Sequence, residues 1–181
     1  MSKAEAVDEL GEVMRVFMAH AVLFQDAIAR RAGLNATDLQ CLNLLALDGP
    51  LTPGALAERS GITSGGAITA VIDKLERADL VARARDQTDR RKVLVTANSQ
   101  EIWRRIGPLY QGVQRRWDDY LSGLSQDQIR FARDLLQTAT RINQDEIADL
   151  RGLPEHHPRV NGWQATAALP ADGTVSPEAS R

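Results

Sequence analysis

Cysteine is almost absent from this chain of 181 residues. Cys41 stands alone, so no disulfide can form within one copy, which fits a reducing compartment. Histidine is scarce too, with three residues, and two of them, His156 and His157, are neighbours close to the C-terminal end. With Glu155 beside them they still lack the spaced partners that a metal site needs, so no metal is expected. No run of about eighteen apolar residues occurs, and the opening MSKAEAVDEL has no apolar core behind its lysine. The reading is a soluble, cytoplasmic protein with no membrane partner. Positive charge is not in excess: 22 Lys and Arg face 24 Asp and Glu, a net charge of −2. That excludes a polycation that coats nucleic acid along its whole surface and leaves room for a local basic patch. There is no Gly-Lys-Ser/Thr phosphate loop, no nucleophile elbow and no cofactor motif, so enzymatic chemistry has no support.

What is present is a globular composition, 43% hydrophobic and 25% charged, with helical patterning at both ends. Val7, Leu10, Met14, Phe17, Ala21, Phe24 and Ile28 recur at spacings of three and four. Val13, Val16, Val22 and Leu23 widen that stripe beyond what one surface helix of a small domain requires. Gly33 closes the helix, and Asn35 or Thr37 caps the next, whose apolar residues are Leu39, Leu42, Leu45 and Leu47. Cys41 lies among these leucines with no local base, which suits a small buried hydrophobe better than a reactive thiol. From about Gln100 a stripe returns through Ile102, Ile106, Leu109, Val113, Trp117 and Tyr120. Pro108 should kink it or begin a new segment. Gly123 breaks it, Ser125 and Gln128 have capping-box form, and a last helix runs from Gln126 to about Leu150. It carries Ile129, Ala132, Leu135, Leu136, Ala139 and Ile142 as its apolar face. Two striped helices at opposite ends of one chain need a partner surface, and a second copy supplies one.

The stretch between them, Leu51–Thr96, has a different texture. Thr52 before Pro53 is an N-cap followed by proline at the first helical position. Ser60-Gly61 ends that short helix, and Thr63 or Ser64 opens another that runs to about Ala78. Ile68, Val71, Ile72 and Leu75 form one apolar face of it. Its front, Thr63, Ser64, Gly65, Gly66 and Thr69, is small or hydroxylated. Such a front can come close to phosphates or enter a major groove about 12 Å wide. Leu80–Arg85 and Lys92–Thr96 read as two strands joined by Asp86-Gln87-Thr88-Asp89. Within ten residues this ribbon holds Arg83, Arg85, Arg90, Arg91 and Lys92 against Asp86 and Asp89. The pattern is mainly α with a small β-hairpin wing, a winged helix–turn–helix.

At this point the chain resembles the MarR family of transcriptional regulators. The likeness rests on Leu51-Thr52 with Leu56-Ala57, on Gly61-Ile62-Thr63, on Thr69 with Asp73-Lys74-Leu75-Glu76, and above all on Asp89-Arg90-Arg91 followed by Val95. It spans roughly residues 10–150. Asp79 stands where the family usually has glycine, and aspartate can enter the left-handed region. Ala70 replaces a common arginine, and Ala97-Asn98 replaces the usual Leu-Thr that opens the following helix.

The resemblance implies a homodimer whose first and last helices interlock, residues 1–34 and 99–150 serving dimerisation and 35–98 reading double-stranded DNA. It implies a near-palindromic operator and a repressor released by a small aromatic or anionic effector. Thr63, Ser64, Gly65, Gly66 and Thr69 would face the major groove. Arg90, Arg91 and Lys92 would form the wing contact with Asp89 in support, and Thr52 would hold a phosphate. His20, Phe24, Trp103 and Tyr110 are candidates for lining the effector pocket, or ordinary core aromatics. The alternative function is a winged-helix protein–protein module without its own operator; the basic ribbon argues against it. Residues 151–181 hold four of the seven prolines and read as a disordered tail, with Trp163 unexplained.

Overall fold

The computed structural model describes residues 1–152; His156, His157, Trp163 and nearly all of the expected tail lie outside the described residues. Helix α1, Lys3–Arg31, begins in a capping box in which Ser2 and Glu5 satisfy each other's backbone N–H. It ends at Ala32, followed by Gly33 at φ 75°. Helix α2, Ala36–Asp48, repeats the device with Asn35 and Asp38. Thr52 caps α3, Pro53–Ser60, by accepting from the Ala55 N–H at 3.2 Å, and Gly61 closes it in the left-handed region. Ser64 caps α4, Gly65–Arg77.

The hairpin follows as β1, Val81–Arg85, and β2, Val93–Ala97, antiparallel with Val81 opposite Ala97 and Arg85 opposite Val93. The second strand starts one residue later than the sequence suggests, because Lys92 belongs to the turn. A single residue, Leu51, adds an isolated rung to β2: its N–H donates to the Val95 carbonyl at 3.1 Å and its carbonyl accepts from the Val95 N–H at 2.7 Å. The entry to α3 is therefore stitched to the returning arm of the wing.

The core is small and continuous. Leu42 and Leu45 of α2, Leu56 of α3, Ile68, Ile72 and Leu75 of α4, and Leu80, Val81 and Val95 are all buried, as is Cys41. Burial pushes the Cys41 thiol above its ordinary range, with a Ser60 contact working against the shift; this is an inert core residue. Leu47, expected with the α2 leucines, is instead 83% exposed. It lies two residues past Leu45, on another side of the helix.

Asp79 adopts φ 59°, the one non-glycine residue in the left-handed region among those described. Asn98 spans that turn, donating from Nδ2 to the Asp79 carbonyl at 3.0 Å. Its Oδ1 also caps α5, so the Ala97-Asn98 departure still opens a helix. Asp79→Gly should raise stability by about 0.5–1 kcal/mol, since glycine meets no Cβ penalty there. A urea midpoint that falls in the variant would refute this.

Helix α5, Ser99–Arg105, gives way at Ile106 to α6, Gly107–Ser122. Pro108 stands in the first turn of α6, where its missing N–H and fixed φ are tolerated. Ser125 and Gln128 form the expected box ahead of α7, Gln126–Gly152. Contacts within the chain group Met1–Gly123 as one compact unit and the residues from Leu124 onward as another. In the first, α1 buries only Ile28 and Ala29, while Val7, Leu10, Val13 and Phe17 stand 45–63% exposed. In the second, α7 buries none of its apolar residues. Among the described residues no helix is long and apolar enough to cross a membrane.

Candidate nucleic-acid interface

The front of α4 is open to solvent on the side away from Ile68. Thr63, Ser64, Gly65, Gly66 and Thr69 are exposed. The Ser64 hydroxyl accepts from the Ala67 N–H at 3.4 Å, and Thr69 donates to the Gly65 carbonyl at 2.9 Å. Neither glycine has positive φ, a Cβ at Gly65 would meet nothing, and one at Gly66 would meet only Ser64 Oγ at 3.8 Å. No internal contact therefore calls for glycine at either position. Their bareness leaves a helix start, with its unpaired N–H groups, clear for an external anion.

The wing is ordered by its acids. Asp86 Oδ1 accepts from the Thr88 hydroxyl at 2.5 Å and from the backbone N–H groups of Thr88 and Asp89 at 2.6 and 3.1 Å. These bonds, the Thr88 hydroxyl first, hold the Asp86 carboxyl below its usual range. Their contribution is present above the ordinary carboxylate pKa and is lost as pH falls through the depressed value. Asp89 accepts from the Arg91 N–H at 3.1 Å, and its carbonyl accepts from the Lys92 N–H at 2.8 Å. The Arg91 side chain is 95% exposed, with Nε 3.5 Å from Asp89 Oδ1. Arg90 and Lys92 are exposed as well. Asp89 thus shapes the backbone beneath the arginines.

Charge counting along the ribbon overstates its reach. Arg83 turns back onto α4, with Nη2 2.5 Å from Asp73 and Nη1 on Glu76. The Asp73 bond, above all, raises its pKa further. Arg83 joins wing to helix and is not presented with the tip. Thr52 is half-buried with its hydroxyl oxygen already accepting the cap bond, which leaves the O–H as its only free donor.

The four aromatic and histidine candidates divide. Phe24 and Tyr110 meet edge to face, with centroids 5.7 Å apart, and the Tyr110 hydroxyl donates to Gln25 Oε1 at 2.9 Å. Burial raises the Tyr110 pKa. Trp103 and Tyr110 line a 180 Å³ cleft with Leu42 and Asn43 of α2. Trp103 is 77% exposed, and its ring lies so close to Gly107 that a Cβ there would come within 3.1 Å. His20 is exposed, does not line that cleft, and has Nδ1 2.9 Å from the Val16 carbonyl of its own helix. Among the described residues no cluster of His, Cys, Asp or Glu could hold a metal ion.

A helix pair whose second member presents a bare front, beside a hairpin with an arginine tip, defines a winged helix–turn–helix DNA-binding protein. The MarR family model matches residues 32–92, from the end of α1 through the wing tip and short of β2. Over that stretch the chain carries the winged helix–turn–helix of the MarR family. It is similar to the uncharacterised HTH-type transcriptional regulator YcgE of Bacillus subtilis, 29% identical over 153 residues that cover 83% of this chain and 96% of that protein. Two solved structures share the fold. A MarR family protein from Bacillus stearothermophilus aligns with TM-score 0.59 at 24% identity over 79% of this chain and 99% of that one. The YusO protein of Bacillus subtilis aligns with TM-score 0.53 at 19% identity, over 78% and 99%.

Proposed function

We propose that this chain is a homodimeric, DNA-binding transcriptional regulator, a cytoplasmic repressor that reads a near-palindromic operator and is released by a small aromatic or anionic effector. Residues 35–98 read DNA, and residues 1–34 and 99–150 pair the two copies. Thr63, Ser64, Gly65, Gly66 and Thr69 enter the major groove. Arg90 and Arg91 reach the minor groove, where a narrow, electronegative channel favours arginine. Lys92 adds charge to the wing, Asp89 supports it, and the free O–H of Thr52 meets a phosphate. Few long side chains project from the front of α4, so backbone contacts and DNA shape carry much of the affinity.

The observation that supports this reading most is the pairing of an exposed Arg90-Arg91-Lys92 tip with a helix front whose glycines are not called for by any contact among the described residues. For the effector, the support is the cleft at Trp103 and Tyr110 with Phe24 behind it. Selection of duplexes from a random-sequence library by the full chain is the test, followed by footprinting with and without small phenolic acids. The expected result is a two-fold symmetric sequence with half-sites about one helical turn apart. Selection of no duplex would favour the protein–protein module instead. Phenolic acids that change neither melting temperature nor duplex affinity would exclude that effector class.

A further inference from the structure

Asp38 is the one charged or polar residue that is fully buried among those described, at 1% exposure. Its place at the third position of α2 explains a capping contact, with Oδ2 accepting from the Asn35 N–H at 2.9 Å. Capping alone does not explain burial. The boxes at Ser2–Glu5 and Ser125–Gln128 do the same work on exposed surface. A carboxylate taken out of water bears a desolvation cost that only close, directed partners offset. The partner here is Lys74 of α4, 36 positions away, whose Nζ lies 2.5 Å from the same Oδ2.

Lys74 stands on the helix that carries Ser64, Gly65, Gly66 and Thr69. Its neighbours Ile72 and Leu75 bind α4 to the core through apolar contact, which has no preferred direction and tolerates small rolls and slides. The ion pair is directional. The adjacent residue, Asp73, makes the second directed contact, to Arg83 of the wing strand. Consecutive side chains therefore tie α4 to α2 on one side and to the hairpin on the other.

We propose that Asp38 is a positioning residue for sequence readout: through Lys74 it fixes the seating of α4, and with it the angle at which the bare helix front meets the bases. The proposal rests on α4 being the reading helix. Loss of the pair leaves wing and phosphate contacts in place, so affinity for DNA of arbitrary sequence is preserved while discrimination falls.

The test compares a duplex selected from a random library by the unaltered full-length chain with a scrambled duplex of equal composition. Lys74→Met and Asp38→Asn should each lower the ratio of the two affinities roughly tenfold, about the weight of one base pair in a specific site. Affinity for the scrambled duplex should stay within about twofold, with an unchanged salt slope. Lys74→Arg, which keeps the pair, should retain most of the ratio. The double variant should lose no more than either single variant, because both remove one interaction. Should Asp38→Asn fail to fold, the two Lys74 variants decide alone. An unchanged ratio in folded Lys74→Met overturns the proposal. So does an equal loss on both duplexes with a salt slope reduced by about one per copy, which would make Lys74 a phosphate contact. If the unaltered chain selects no duplex, this proposal and the DNA reading fall together; selection with an unchanged ratio removes the positioning role only.

Discussion

Arg91→Ala is expected to weaken binding to the selected operator roughly a hundredfold and to flatten its salt dependence. An arginine contact in a groove is worth about 1–3 kcal/mol, and a dimer makes it twice. If each Arg91 also neutralises one phosphate, the slope of log affinity against log salt falls by about two across the dimer. The fold has little stake in the side chain. It is 95% exposed, and its one ion pair, to Asp89 at 3.5 Å, is of the surface kind that adds little. The melting temperature should therefore hold while affinity drops, and the two measurements together separate a DNA contact from a structural role. Affinity and salt slope that both match the unaltered chain would remove the wing from the interface.

The second large effect concerns pairing of the copies. Leu136 is 60% exposed on α7, in a stripe with Ile129, Leu135 and Ile142 that no contact among the described residues buries. Leu136→Asp should convert the dimer to a monomer in sedimentation velocity at micromolar protein. Burying an unpaired carboxylate costs several kcal/mol, and a two-fold interface repeats the cost. Operator affinity should then fall by about two to four orders of magnitude, because the second half-site no longer binds as an intramolecular event. A variant that still sediments as a dimer would place this part of α7 outside the interface.

Local chemistry made much of this molecule legible in advance. Thr52-Pro53, Gly61, Asn35 and the Ser125–Gln128 box act within four residues of themselves, and each does in the structure what its residue type dictates. Pro108 also follows from backbone sterics alone, and Asp79 from the glycine that the resembled family usually has at that turn. What stayed hidden were pairings across distance. Arg83 counts as ribbon charge until the fold lays it against Asp73 and Glu76. Lys74 and Asp38, 36 positions apart, look like two ordinary surface charges. Leu51 gives no sign that it will complete a rung with Val95. The candidate pocket was harder still. The family resemblance groups His20 with three aromatic residues, but only Trp103 and Tyr110 share the cleft, with Phe24 edge-on to Tyr110.

The rung between Leu51 and Val95 has a mechanical consequence. With Asn98 spanning the Asp79 turn and Arg83 bound to α4, it leaves the reading body almost no internal hinge. Such a body cannot adapt by flexing its wing against its helix; it adapts by moving whole. On a double helix that repeats every 10–10.5 base pairs, a few ångströms of whole-body travel is an error of phase as well as of distance. In the proposed dimer the pair of copies then behaves like a gauge of fixed jaws, and the stiffness of their joint would decide how far two half-sites can be shifted before neither is held.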